Sequence, residues 1–473
     1  MSRPFAVIAF ALNSVLPLIL FTGCGSSAGI HTFQLTVAIP PSGAGAVTSS
    51  PAGISCPAAC RAMFAENMQV TLTATPGANY SFGGWSGACS GGGACTLEMT
   101  AAESVTANFA SSTGGNGMGA AFVYVSGATN GGSDIEGFSV SPDGQLTDLP
   151  GSPFPFSIGG LAASGKFLFG TDGTNIYSYA IGKDGSIVQT ASIDARHYND
   201  PVDCSGGPQF LFFDRTGTNL YDLDIRSDCA NNSYQSFSLD NATGTLTFLA
   251  DTSDTSPVFE RGLQFTGDDA FGFSASCYHF NQEVFGFKRN SNGSLALETS
   301  LGVPPPLPSG PEGDPYCPWL AASDEANHLV VSLTPINGST FEQIGPPQLA
   351  LYTVDDVGNL STNSTSSNMP QVAGDTVNDL EISPSGKFLA VGESSGLEVF
   401  NFDGANPITQ LTGLLTSDAI DEVRWDGGDH LYAISNSSGK LYVFSVNASG
   451  AVAVSGSPYP VSSPTDLVVS SGS

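Results

Sequence analysis

Three residues of this chain are of the types that hydrolysis at a carbonyl requires: Arg196 beside His197 in "DARHYNDP", and Arg261 in "VFERGLQF". A guanidinium stabilises an oxyanion, and an imidazole titrates near neutrality and can take a proton from water. Other polar groups that are candidates for the same site are Asp203, Glu260, His279, Glu312, Asp314 and Asp379. No serine-nucleophile signature accompanies them, because "GWSGA" (Gly84 to Ala88) lacks the last glycine of G-x-S-x-G and lies between cysteines. The carboxylates of "DLDIRSD" meet neither EF-hand nor RTX spacing, so no metal is expected, and no cofactor is implied.

Groups so far apart in sequence need a repeating scaffold to meet. One series of turns reads "DGQL" (Gly144), "DGSI" (Gly185), "TGTL" (Gly244), "NGSL" (Gly293), "VGNL" (Gly358), "DGANPI" (Gly404) and "SGAV" (Gly450). Glycine suits a hairpin turn between twisted strands because it takes positive φ without penalty. A second series leads into strands: "SGKFLF", "TGTNLY", "GDDAFGF", "EANHLVV", "SGKFLA" and "GGDHLYA". It has six members against seven. The missing one is explained if "PTDLVVSS" at the carboxyl end supplies the innermost strand of the first sheet, beside "AFVYVSG". That is how a β-propeller closes its ring and removes an exposed sheet edge. The expected fold is all-β: a seven-bladed β-propeller over residues 121–473 with a small N-terminal β-rich domain.

The stretches "FVYVSG…DIEGFSVSPDGQLTDLPGSPF", "ASGKFLFGTDGTNIYSYAIGKDGSI" and "SPSGKFLAVGESSGLEVFNFD" resemble the seven-bladed lactonase family, which includes 6-phosphogluconolactonases. The resemblance implies lactone chemistry on the face where the blade-to-blade loops emerge. Intervals between the hairpin glycines put the longest insertions before Gly244 and Gly358, on blades three to five, where Arg196, His197 and Arg261 fall. On this layout Cys204 pairs with Cys229 within a blade, and Cys277 with Cys317 across a junction. The other propeller cations considered (Lys166, Lys183, Arg215, Lys288, Arg289, Lys387) fall mostly at the opposite turns, which argues against a phosphate site.

The amino terminus has a basic start at Arg3, an apolar run from Phe5 to Phe21 and "LFTGC". It resembles a bacterial lipoprotein signal (residues 1–23) whose cleavage leaves Cys24 to carry lipid, followed by a tether over 24–30. Residues 31–110, ahead of a Gly/Ser linker at 111–120, read "SPAGISCPAAC…VTLTATP…FGGWSGACSG…CTLEMTAAESVTANF". They resemble the bacterial surface-repeat domain related to the internalin B repeat, which makes Cys56–Cys60 and Cys89–Cys95 local staples. Zinc is the competing use of four close cysteines, and their spacing and an oxidising compartment weigh against it.

The chain has a formal charge of −30 with only 13 Lys and Arg, so it has no basic stripe for nucleic acid. Expected partners are the membrane, through the lipid anchor, and an envelope glycan, small molecule or protein. The expected location is the cell envelope. Two functions stay open: an exported lipoprotein that binds a ligand on its loop face, and an extracytoplasmic lactonase or related sugar-acid hydrolase.

Overall fold

The computed structural model describes residues 31–39, 45–76, 80–89, 95–111, 122–129, 132–195, 207–224, 233–253, 262–278, 281–297, 308, 310 and 313–470. Among them there are strands and turns but no α-helix, and so none that could cross a membrane. The first unit has two four-stranded sheets. One runs Arg61–Ala65, Thr32–Ala38, Glu103–Ser111, Tyr80–Gly87, with its middle pair parallel; the other runs Ser55–Cys56, Gly45–Ser50, Gln69–Pro76, Cys95–Glu98. The alternation in "FQLTVAI" and "QVTLTAT" puts Leu35, Val37, Val70 and Leu72 into one core shared by both sheets. Cys56–Cys60 and Cys89–Cys95 are disulfide-bonded as expected.

The rest of the described chain forms seven sheets in sequence order, each built on four antiparallel strands. The innermost strands are Pro464–Ser470 (blade 1), Gly159–Ser164 (blade 2), Pro208–Phe213 (blade 3), Gln264–Phe265 (blade 4), Tyr316–Ser323 (blade 5), Val377–Ile382 (blade 6) and Glu422–Trp425 (blade 7). Seven apolar clusters fill the seven junctions between successive blades. The one that joins blade 7 to blade 1 packs Tyr432, Ile434 and Val443 against Val123, Val125 and Leu467. The closure inferred from the turn count is present: Leu467 pairs with Val125 and Val469 with Val123, so the last strand becomes the inner strand of the first blade.

The hairpin glycines do more than supply a turn. All seven have positive φ, from 73° at Gly404 to 130° at Gly450. Six of them also seat against the preceding blade, on the residue that opens its second strand (Phe122, Phe167, Asn219, Phe271, His328 or His430). A Cβ at Gly244 would lie 2.7 Å from the Phe167 ring, and one at Gly144 2.8 Å from His430 Cδ2. These contacts interlock the blades on the face opposite the loops, and Gly144 on His430 repeats the ring closure there. Where the opening residue is histidine, an aspartate of the preceding turn holds it. Asp324 Oδ2 lies 2.7 Å from His328 Nδ1, and Asp426 Oδ2 lies 2.9 Å from His430 Nδ1.

Candidate functional site

Neighbouring inner strands of a propeller do not share a hydrogen-bond ladder, so side chains must bridge them. On blades 6, 7 and 1 the bridging groups are charged. In "VNDLEI" (Val377–Ile382), Leu380 and Ile382 enter the core while Asp379 and Glu381 take the other face; in "EVRW" (Glu422–Trp425), Val423 and Trp425 go inward and leave Glu422 and Arg424. Period-two alternation therefore brings two carboxylates of blade 6 to a carboxylate and a guanidinium of blade 7 along the central channel.

Arg424 is the hub. Its Nη1 donates to Asp379 Oδ2 at 2.9 Å and to the Val423 carbonyl at 2.6 Å, and its Nη2 donates to Glu422 Oε1. Asp379 Oδ2 also accepts the Val423 amide at 3.0 Å, tying blade 6 to blade 7. Glu422 Oε2 accepts the Leu467 amide at 2.5 Å, tying blade 7 to the closing strand. On that strand, Asp466 Oδ2 accepts from Ser126 Oγ at 2.8 Å. Below the hub, Trp425 Nε1 donates to the Glu381 carbonyl at 3.0 Å, while Glu381 Oε2 is buried without a hydrogen-bond partner.

The electrostatics follow from this packing. Burial pushes the Glu381 and Glu422 carboxyls up to about 8, against the opposing pull of Arg424. The guanidinium itself is held firmly charged by Glu422, Asp379 and Glu381. Three of its five N–H donors are used, which leaves Nε–H and one Nη2–H without a partner among the described residues. A third of the Arg424 side chain remains exposed (34%). The arrangement is a charged, oriented fork in a confined channel, suited to an oxygen that carries or develops negative charge.

Of the residues singled out from sequence, Asp379 belongs to this hub. Asp314 precedes the inner strand of blade 5, and its carbonyl accepts the Gly310 amide. Arg196, His197, Asp203, Glu260, Arg261, His279 and Glu312 lie outside the described residues, as do Cys24, Cys204 and Cys229. Cys277 and Cys317 are disulfide-bonded, joining the second strand of blade 4 to the inner strand of blade 5. Among the described residues no cluster of His, Cys, Asp or Glu is arranged to hold a metal ion. Lys166, Arg215 and Lys387 sit at the turns between first and second strands, Lys183 at a hairpin turn, and Lys288 and Arg289 end a third strand beside such a turn, all away from the loop face. Arg424 is the cation that this reading of the sequence missed. Its signal lies in "DEVRWDGG", where a cation stands in a short apolar alternation just ahead of a turn.

These features define an all-β protein, a propeller preceded in sequence by a small β domain. Residues 35–113 match the family model of the divergent InlB B-repeat domain. A comparison with curated proteins finds no match. Solved structures of similar fold include a candidate 6-phosphogluconolactonase of Bacteroides fragilis NCTC 9343 (15% identity, 73% of this chain and 97% of that one, TM-score 0.52). Another candidate 6-phosphogluconolactonase, from Bacteroides uniformis ATCC 8492, is 18% identical over 73% of this chain and 98% of its own, with TM-score 0.52. The periplasmic gluconolactonase of Pseudomonas aeruginosa is 17% identical over 74% and 99%, again with TM-score 0.52. At these identities the likeness is one of fold.

Proposed function

We propose that the protein is an extracytoplasmic lactone hydrolase that works in the central channel of its propeller, with Arg424 receiving the carbonyl oxygen. The observation that carries this reading is the guanidinium fixed by Asp379 and Glu422 with two N–H donors left over. In the reaction, the water oxygen bonds to the lactone carbonyl carbon, and the negative charge moves to the oxygen facing Arg424. The ring C–O bond then breaks, and the proton lost by water passes to the departing ring oxygen. His197 is the group proposed to carry that proton, with Arg196 and Arg261 proposed to assist it. Asp379 and Glu422 are positioning residues for the fork. Three disulfides among the described residues favour an oxidising compartment, and Cys24 is proposed as the lipidated anchor at the cell envelope.

The test is acid release at constant pH from a panel of sugar and aromatic-acid lactones, using the chain that begins after Cys24. Loss of an oxyanion donor is expected to lower kcat by about 100-fold or more in Arg424→Ala, and Arg424→Lys, which keeps the charge without the fork, is expected to restore little. Undiminished turnover in folded Arg424→Ala, or no turnover across the panel, overturns the reading. A second reading, capture of an envelope ligand without turnover, is favoured by the B-repeat match at residues 35–113. Ligand binding without acid release would select it.

A further inference from the structure

The channel wall also carries groups that Arg424 does not explain. Trp319 lies midway along the inner strand of blade 5, Tyr316–Ser323, next to the Asp379 strand of blade 6. Its ring packs partly on the apolar cluster that contains Val377 and Leu380, yet it stays half-buried. A residue in the middle of an innermost strand has its free surface on the channel. Its indole N–H has no partner among the described residues, whereas the indole of Trp425, also on an inner strand, is satisfied by the Glu381 carbonyl. Phe210, on the inner strand of blade 3, is likewise half-buried. The wall of blade 2 opens with Gly159 and Gly160, bare backbone beside Asp466; a Cβ at Gly159 would lie 3.2 Å from Asp466 Oδ2.

From blade 5 round to blade 2, then, the wall reads as an aromatic face, two carboxyls of blade 6, a carboxyl with the guanidinium on blade 7, a carboxylate on the closing strand, and a gap. With all four carboxyls ionised, the group of Asp379, Glu381, Glu422, Asp466 and Arg424 carries −3; with the two glutamates protonated it carries −1. Among the described residues of this wall, no protonation state with the aspartates ionised makes the group positive, and its guanidinium is already shared between two carboxylates.

Resting on the lactonase reading above, we infer that the channel selects an uncharged polyhydroxylated ring, a sugar lactone without phosphate. Trp319 covers the apolar face of the ring, the carboxylates accept from its hydroxyls, and Asp466 with its acidic neighbours repels anionic substrates. An indole takes a sugar's C–H face as it takes other apolar surface, with its N–H as a polar handle. Carboxylates are strong acceptors for hydroxyl donors but repel a phosphate dianion.

The experiment uses glucono-1,5-lactone and its 6-phospho form as probes on the chain that begins after Cys24, at low salt. It reads both acid release and tryptophan emission. The chain has three tryptophans, of which Trp85 and Trp425 are buried at 5% exposure and Trp425 neighbours Arg424, so the part of the emission change that is lost in Trp319→Phe reports Trp319. The unphosphorylated lactone is expected to have a kcat/KM at least tenfold above that of the phosphorylated one. Asp466→Asn should narrow that gap, as should raised salt. Equal or better use of the phosphorylated probe overturns the inference while leaving the lactonase reading standing. An emission change by the unphosphorylated probe alone, without acid release, overturns the lactonase reading and keeps the selectivity. No response to either probe overturns both.

Discussion

Replacing Glu393 with glutamine is expected to stabilise the protein above neutral pH and to flatten the dependence of its stability on pH. Glu393 and Glu398 lie on the second and third strands of blade 6, Phe388–Glu393 and Gly396–Asn401, with relative exposures of 0% and 1%. Because Glu398 pairs opposite Val391, the two glutamates are diagonal neighbours on one face. Each holds one amide of the loop that leads into the Asp379 strand: Glu393 Oε2 accepts from Gly374, and Glu398 Oε2 accepts from Ala373 at 2.9 Å. Burial, and then the neighbouring Glu398, pushes the Glu393 carboxyl up to about 7 from an ordinary 4.5. Between those pH values the folded chain holds a proton that the unfolded chain has lost. Stability therefore falls as pH rises from about 4.5 to about 7, and the loss is complete above that. At 1.36 kcal/mol per pH unit the whole effect is about 3 kcal/mol. Glutamine cannot ionise, yet its carbonyl can still accept the Gly374 amide. Denaturant unfolding at pH 5 and pH 8 checks this. The two proteins should match at pH 5, and Glu393→Gln should be the more stable at pH 8 by up to about 3 kcal/mol. An equal loss between pH 5 and pH 8 in both proteins, or a variant less stable at pH 8, would refute the reasoning.

Three further outcomes are expected. Gly293→Ala places a methyl into the buried side chain of Asn219 at positive φ, so it should destabilise by about 2–4 kcal/mol; Gly165→Ala, also at positive φ but with nothing within 4 Å, should cost about 1 kcal/mol, as read from unfolding midpoints. Opening Cys277–Cys317 by the double change to serine removes a cross-link between residues 40 apart and should cost up to about 4 kcal/mol, measured against the parent under non-reducing conditions. The hydrogen bond that the His430 ring donates to Asp426 raises the pKa of His430 above 6.5, so its contribution to blade 7–blade 1 closure is full below pH 6.5 and is lost as pH rises through the folded value. A titration of the His430 ring by NMR with a midpoint at or below 6.5 would contradict this.

The propeller was legible because its signals are local and repeated. A hairpin that needs positive φ calls for glycine whatever surrounds it, and the turn that lacks a partner near Phe122 points to Pro464–Ser470. The site was less legible. Attention to long insertions favoured residues 196–261, whereas Arg424 lies in a short inner strand with no unusual loop beside it. Glu393 reads as the polar end of the turn in "GESSGLEVF", and only the fold shows that it faces Glu398 beneath Gly374. Such carboxylates break the rule that strand interiors are apolar, and the reason is three-dimensional: amides of a distant loop need acceptors at that depth.

The closing strand also bears on how the molecule matures. Leu467 supplies the amide that fixes Glu422, and Asp466 stands on the same strand, so part of the candidate site comes from residues that leave the ribosome more than 300 positions after the strand they must join. A contact of that sequence separation forms late. Until it does, the strand Phe122–Thr129 is an open edge that another chain could capture, and the fork at Arg424 lacks its outer support. Completion of the ring and completion of the site are thus one event, and a chain clipped before Pro464 would be sticky and inert together.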